Sequence, residues 1–596
     1  MIKRHLLYKT VSLVFVLIIV CGLLMSACTP NCEHKYRNGV CTLCNYACPH
    51  AEYENAVCKE CNKRCRHTEY NEGVCTECKT VCPHINYSEG VCPVCKIVCK
   101  HDDYDANGRC EECGTLCNHN FVGNECTVCG TEKFIAPGKP EANYDYVAHL
   151  DEELPRIYVS SETFMKDATR YVPSFDNYNP ENNIDWQYHN CTVTVNNCAE
   201  EYELSVTAGI KVRGNWTTTY DKKPFRIKFD KKQAMLGLNG GAKMKSWVLL
   251  ADYKDCALER NSVAFYLGQQ ILGSDGYYCS DFRQVEVYLN NLYWGVYLLA
   301  EQQQVNANRI NVTEPDDNYT GTDIGYFVEY DGYYQLEKYG ERFSSNHGEG
   351  YSIKNDVYEN ENYPEYPAAG NAGRYPQKKF IQSYINNLYT ICSGAVKKQY
   401  KTFNSDYTAL VNYRPSTSQP VQETVSKVID IQSLVDMYIH CEIACDADIG
   451  WSSFFMGVDF GAGAKDNLLR FEAPWDFDSA FGFKVGDVAD GNGIYAAPRN
   501  PWLRLFMDED WFMNMVKDKW HEMRDAGVQE GTLKLIRTMQ TNYSDAYNRN
   551  LDKWGFRISD EATWEVQSSV HNHTDAVNQL YSWVQARFKY LNSVWL

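Results

Sequence analysis

Eighteen of the 27 cysteines fall into six consecutive units in which Cys-x-His is followed, six to eight residues later, by Cys-x-x-Cys. In chain order the units are Cys32, His34, Cys41 and Cys44; Cys48, His50, Cys58 and Cys61; Cys65, His67, Cys75 and Cys78; Cys82, His84, Cys92 and Cys95; Cys99, His101, Cys110 and Cys113; and Cys117, His119, Cys126 and Cys129. Three thiolates and one imidazole complete a tetrahedral Zn2+ site, and Cys-x-x-Cys has the spacing of a zinc knuckle. A unit of about 17 residues cannot bury a core of its own, so a metal or a covalent bond must hold it. Disulfides are the rival, since the number of thiols is even and the compartment is oxidising. A disulfide lattice has no use for His at one place in six units, whereas Cys3His zinc requires it. Tyr36, Tyr53, Tyr70, Tyr87, Tyr104 and Phe121 recur at one position of the unit and read as its packing residue. The array reads as a stalk or spacer, with a protein-binding or metal-sensing surface as the alternative.

A second chemistry is suggested by grouped carboxylates. Asp476-Phe477-Asp478 follows Leu468-Leu469-Arg470-Phe471, an expected strand. Alternation would send both carboxylates to one side and Phe477 to the other, which suits a hard cation; a structural calcium site would present the same residues. Glu442, Asp446 and Asp448 crowd the end of an expected helix, where the dipole disfavours negative charge, so a metal or a substrate hydroxyl should compensate. In Lys223–Phe229, period two puts Phe225, Ile227 and Phe229 on one face and Arg226 and Lys228 on the other. That cationic face is either solvated or contacts an anion. There is no Gly-x-Ser-x-Gly elbow, no His-Glu-x-x-His and no Walker loop, and His440 beside Cys441 reads as helix packing.

These groups need elements to position them. Residues 1–28 carry Lys3 and Arg4, an apolar run from Val11 to Leu24, and Leu24-Met25-Ser26-Ala27-Cys28. This reads as an export signal. Its ending resembles a bacterial lipobox, with Cys28 as the lipid attachment; an ordinary cleaved signal is the alternative. The expected localisation is extracytoplasmic, the protein being anchored to the cell membrane as a lipoprotein. Residues 29–131 are the repeats, 132–150 a linker rich in turn residues, and 151–596 a globular domain. The front of that domain reads as sheet: strands around Ile210–Arg213, Lys223–Phe229, Trp247–Leu250, Val285–Leu289 and Gly295–Leu299, the last two joined by Asn290-Asn291. Helical periodicity covers Ala257–Leu272, Gln377–Ala395, Asp430–Ala447 and Trp511–Lys553. A sheet-rich front and a helix-rich back predict an α+β, two-lobed enzyme with a cleft between the lobes. The net charge of −19 excludes nucleic acid as the main partner, and 44% hydrophobic residues exclude overall disorder.

Several separated motifs of residues 150–590 resemble the spore-coat protein CotH kinase family. They are Arg213-Gly214-Asn215 with Lys223–Phe229, Trp247–Tyr253 with Arg260-Asn261, the Val285–Glu301 hairpin, and Pro474–Asp478 with Phe481-Gly482. The resemblance implies a divergent protein-kinase-like fold that uses ATP and Mg2+ to phosphorylate Ser or Thr of secreted or surface proteins. On that reading Asp448 takes the catalytic-loop position and Asp446 stands where the family often has a metal-ligating Asn. Asp476 is the leading Mg2+ ligand and Asp478 its support. Lys228 and Arg226 contact the phosphates, Glu301 orients a lysine, and Arg213-Gly214-Asn215 forms a turn against ATP. The alternative is a catalytically silent surface or adhesion lipoprotein that uses the same fold to bind a partner.

Overall fold

The computed structural model describes residues 35–37, 40–42, 47–72, 74–82, 91–100, 104, 110–112, 117, 120–123, 125–130, 138–173, 184–357 and 375–596. Chain contacts divide it into two compact units that meet at residue 133/134. Among the described residues no helix is long and apolar enough to cross a membrane.

In the first unit the expected repeats become short hairpins. Tyr36–Arg37 pairs with Val40–Cys41, Tyr53–Glu54 with Val57–Cys58, Tyr70–Asn71 with Val74–Cys75, and Phe121–Val122 with Glu125–Cys126. The recurring aromatic thus faces the third metal-ligating position across its hairpin. Successive units are joined through the backbone: Cys65 N–H donates to Ala56 O at 2.8 Å, and Val57, Val74 and Val91 bridge Arg64, Val81 and Val98. Tyr36 packs against Cys48, Cys58 and Cys61 of the following unit, and Tyr53 against Cys65, Cys75 and Cys78 of its own follower.

The second unit begins earlier than the expected linker end. Asn143 N–H donates to Ser274 O, and the Tyr146 hydroxyl and His149 Nε2 both reach Asp281. Residues 143–150 therefore pack on the globular body, because Tyr146 and His149 carry side chains that it can bury and pair. A closed barrel follows, formed by β1 (Arg156–Ser160), β2 (His189–Asn196), β3 (Leu204–Val212), β4 (Phe225–Gln233), β5 (Met244–Leu250), β6 (Phe282–Leu289) and β7 (Leu292–Glu301). The order is β2-β3-β4-β5-β7-β6-β1, antiparallel except where β6 meets β1. Phe225, Ile227 and Phe229 point inward with Trp247, Val287 and Leu299, as the alternation of β4 requires. The β6–β7 turn places Asn290 and Asn291 at φ 49° and 63°, the left-handed pair that a two-residue hairpin needs.

Helix α1 (Arg260–Ile271) lies between β5 and β6 in the chain. A second sheet contains β8 (Gly325–Asp331), β9 (Arg342–Ser344), β10 (Gly350–Ile353), β11 (Phe454–Asp459) and β12 (Arg470–Phe471), in the order β9-β10-β8-β11-β12. The other long helices are α2 (Pro376–Val396) and α3 (Ile431–Ala444), which pack on that sheet, α4 (Asp510–Asp525), α5 (Val528–Asn542) and α7 (His573–Trp595), which pack on other helices, and α6 (Ser544–Trp554), which packs on barrel strand β7. Every residue of α3 is buried, the polar Gln432, Ser433, Asp436, His440 and Glu442 included. Asp430 caps its start by accepting from Ser433 N–H, and Cys445 ends it at φ 48°. The Trp511–Lys553 periodicity resolves into three helices, broken at Gly527 and Tyr543.

Candidate functional site

A cavity of about 810 Å3 opens beside the barrel, lined on one side by Lys211, Arg213 and Arg226 and on the other by Asp448, Asp476 and Asp478. The cationic wall comes from β3, the turn after it and β4. Among the described residues, none of the three cations makes an ion pair; Lys211 lies over the Tyr188 ring at 5.0 Å and Arg213 over the Trp475 ring at 5.8 Å, and Arg226 Nε is buried without a hydrogen-bond partner. Burial and the neighbouring Arg226 lower the Arg213 guanidinium to about 10, against the pull of Asp476. Burial likewise lowers Lys211. Gly214 sits at φ +96°, and a Cβ there would lie 2.2 Å from Thr217 Oγ1, so the turn that lines the cavity demands glycine.

The acidic floor comes from two loops. The first follows α3. Its helix-end charge is compensated from within the protein: Glu442 accepts from the N–H groups of Tyr495, Ala496 and Ala497 and from Arg587 Nη2 at 2.9 Å. Asp446 accepts from Asp448 N–H through Oδ2, while its Oδ1 is buried with no partner. The second loop follows β12. Asp476 and Asp478 do reach the cavity together, but not by strand alternation. The strand ends at Phe471, and Asp476 adopts φ +69°. Phe477 turns away against His440, 5.0 Å between rings. His440 Nε2 donates to Ala264 O at 2.9 Å and the residue is fully buried, a packing residue as expected.

Burial and like charge act together on these acids. Asp476, whose side chain is open to the cavity, is pushed up to about 7 by the desolvating surroundings of the cavity, Asp478 and Asp448, with Arg213 opposing. Asp446, Asp448 and Asp478 are raised too, burial being the largest cause in each. Lys484, beside Asp448 and Asp478, and Arg213, beside Asp476, offset this only in part, and a hard cation is what the oxygen donors would hold. Asp446 does not line the cavity; its orphaned Oδ1 is buried behind it, close enough to Asp448, Asp476 and Asp478 to feel their charge. Among the described residues, sets of three or more ligating atoms within 4.8 Å of one another occur only in the repeats. The cavity carboxylates are spaced more widely, as suits an ion that keeps several waters and takes substrate oxygens.

Two expected residues lie elsewhere. Lys228 is exposed on β4, does not line the cavity, and has its Nζ 5.9 Å from the Tyr188 ring centroid. It shares a face with Arg226, but two residues farther along the strand carries it past the cavity. Glu301 is buried and pairs with Arg309 at 2.9 Å and with Asn239, so it orients an arginine and no lysine. The cavity instead gains Lys211, Asp252, Glu329, Asp331 and Lys354. Lys354 bridges Glu329 at 2.9 Å and Glu337 at 3.0 Å. Lys211 extends the period-two face of β3 and could have been found from it; Lys354 has no local signal.

The repeats gather their ligands. Cys48, His50, Cys58 and Cys61 form one group and Cys65, His67, Cys75 and Cys78 another; Cys82, Cys92, Cys95 and Cys117, Cys126, Cys129 form two more. Sγ···Sγ is 3.6 Å for Cys48–Cys58, Cys65–Cys75 and Cys82–Cys92, 3.5 Å for Cys99–Cys110 and 3.9 Å for Cys117–Cys126. A tetrahedron of ~2.3 Å metal–sulfur bonds has an edge of about 3.8 Å, so the thiols stand where metal ligands stand. Cys41 of the first unit is buried. Cys28, Cys32, His34, Cys44, His84, His101, Cys113 and His119 lie outside the described residues. In the globular unit Cys191 donates to Ala208 O, and no disulfide joins it to Cys198.

A protein-family profile described as CotH kinase protein matches residues 210–591, more than half of the chain and all of the cavity from Lys211 onward. The chain belongs to the CotH kinase family. No curated protein gives a significant match. The CotH match takes in both the barrel strands from β3 and the helical half, so the cavity between its cationic and acidic walls lies within the family's own region.

Proposed function

We propose that the chain is an atypical protein kinase of the CotH type that transfers the γ-phosphoryl group of ATP to a Ser or Thr hydroxyl of a secreted or surface protein. The observation that carries this reading is one cavity lined both by Lys211, Arg213 and Arg226, which make no ion pair among the described residues, and by the carboxylates of Asp448, Asp476 and Asp478. Phosphoryl transfer asks the protein for little covalent chemistry; it asks for charge in the right places. Arg213, Arg226 and Lys211 would hold phosphate oxygens. Asp476 and Asp478, with Asp446 behind them, would hold Mg2+, which when bound neutralises the charge of the transferring group. Asp448 would accept the proton of the acceptor hydroxyl, its raised affinity for protons suiting a base that must take one. The barrel and the helical half would then correspond to the two lobes of a divergent kinase-like fold. The repeats would each hold one structural Zn2+, and the mature protein would be held outside the cytoplasm by lipid on Cys28.

Incubation of the full chain with Mg2+, labelled ATP and a Ser-rich acceptor should give phosphoprotein, and Asp448→Asn and Asp476→Ala should not. Absence of transfer by the wild-type protein overturns the reading. Metal analysis should find about six zinc ions per chain, one for each Cys3His set, and Cys28→Ala should move the protein from the membrane to the soluble fraction.

A further inference from the structure

The acidic floor is held in place by a residue from the other side of the cavity. Asn261, in the first turn of α1, accepts from Phe477 N–H through Oδ1 at 2.8 Å and donates through Nδ2 to Asp252 Oδ1 at 2.7 Å. The two contacts assign the amide without ambiguity, since one partner is a donor and the other an acceptor. Asn261 is buried, lines the cavity and sits beside Arg260, whose Nε donates to Ala480 O. The amide that Asn261 grips is the peptide between the two floor carboxylates. Asp476 occupies the left-handed region, which an aspartate leaves unless its surroundings over-determine it. Asp252 is itself left-handed, at φ 47°, at the end of β5.

We propose that Asn261, oriented by Asp252, is a positioning residue that fixes the Asp476–Asp478 turn in its cation-binding geometry. This rests on the proposed Mg2+-dependent transfer only for its kinetic consequence. The bond itself predicts a structural one. With the brace intact, both carboxylates face the cavity before any ion arrives. Without it, the turn relaxes toward ordinary backbone and Asp476 swings out of register.

The test uses the full chain. Asn261→Ala should lower kcat about 100-fold, as a misplacement near 1 Å does. KM for ATP should stay within about threefold, because the cationic wall is untouched. Mn2+ affinity, read by electron paramagnetic resonance of the free ion, should fall roughly tenfold or more, the direction expected when a residue behind the ligands is lost. Amide exchange over residues 473–481 should accelerate while α3 keeps its protection. The exchanged pair Asp252→Asn with Asn261→Asp restores a donor at 252 and acceptors at 261, and should recover at least tenfold of the lost Mn2+ affinity, which a generic packing defect would not. If Asn261→Ala leaves exchange and Mn2+ affinity unchanged, or if the folded exchanged pair recovers nothing, the inference is wrong; wild-type protein that binds no Mn2+ also overturns it. Wild-type protein that binds Mn2+ but transfers no phosphate overturns the kinase reading alone, and exchange and Mn2+ affinity then judge the brace.

Discussion

Asp476 illustrates how a single residue can favour chemistry over stability. The desolvating surroundings of the cavity and two neighbouring acids raise its affinity for protons to a midpoint near pH 7, against an ordinary value of 3.8. A carboxyl raised in the folded state binds protons there that the unfolded chain has released, so between these values folding stability falls as pH rises. The metal-free protein should therefore melt higher at pH 6 than at pH 8, and adding Mg2+ at pH 8 should recover the loss. Asp476→Asn should be inactive yet more stable than wild type at pH 8, with a flatter dependence of Tm on pH, the gain being limited by the solvent that reaches this exposed side chain. A variant that is inactive and less stable at pH 8 would show that the acidic floor is not under charge stress. Arg587 makes the opposite case. It is fully buried, donates to Glu442 and to the carbonyls of Gly491 and Gly493, and so ties α7 to the end of α3. Replacing it with Met leaves Glu442 charged and buried, and should cost about 3–5 kcal/mol of unfolding free energy in denaturant titration.

At the level of elements, what the sequence reveals depends on whether the signal is local. The Asn290-Asn291 turn, the inward alternation of β4 and the helical periodicity of α3 all carry their instructions in consecutive residues, and each forms as expected. Strand β8 does not announce itself, because all seven of its residues are buried and no alternation survives. The same holds for the site. Asp448, Asp476 and Asp478 were legible as grouped acids, although the route by which Asp476 and Asp478 reach one side is a left-handed turn and not a pleat. Lys354 and Asp252 were not legible as site residues, since their roles arise from contacts with chain far away in sequence. Lys228 shows the limit of period two: it names a face but not how far along that face a cavity extends. The Gly214 turn gives an element-scale test. Gly214→Val should weaken ATP binding, measured by calorimetry, by about tenfold or more while the fold persists, since the strain is confined to one surface turn. Unchanged affinity would remove this turn from the phosphate site.

For the whole molecule, division into two units means two separate sources of stability. On the proposed zinc reading the repeats draw on metal–ligand bonds, while the globular unit draws on two apolar cores. Calorimetry should show two transitions, and a strong zinc chelator should abolish only the one that belongs to the repeats; a shift of both by the chelator would refute that independence. The backbone contact from Cys65 N–H to Ala56 O, with Tyr53 laid against the next unit's thiols, carries a further consequence. With a metal in each Cys/His set, as proposed, it would make the repeats a one-dimensional lattice in which the state of each site biases its neighbour. On such a lattice a boundary between filled and empty stretches is costly, so ions enter in blocks. An interior defect disturbs two neighbours, and a terminal one disturbs only one.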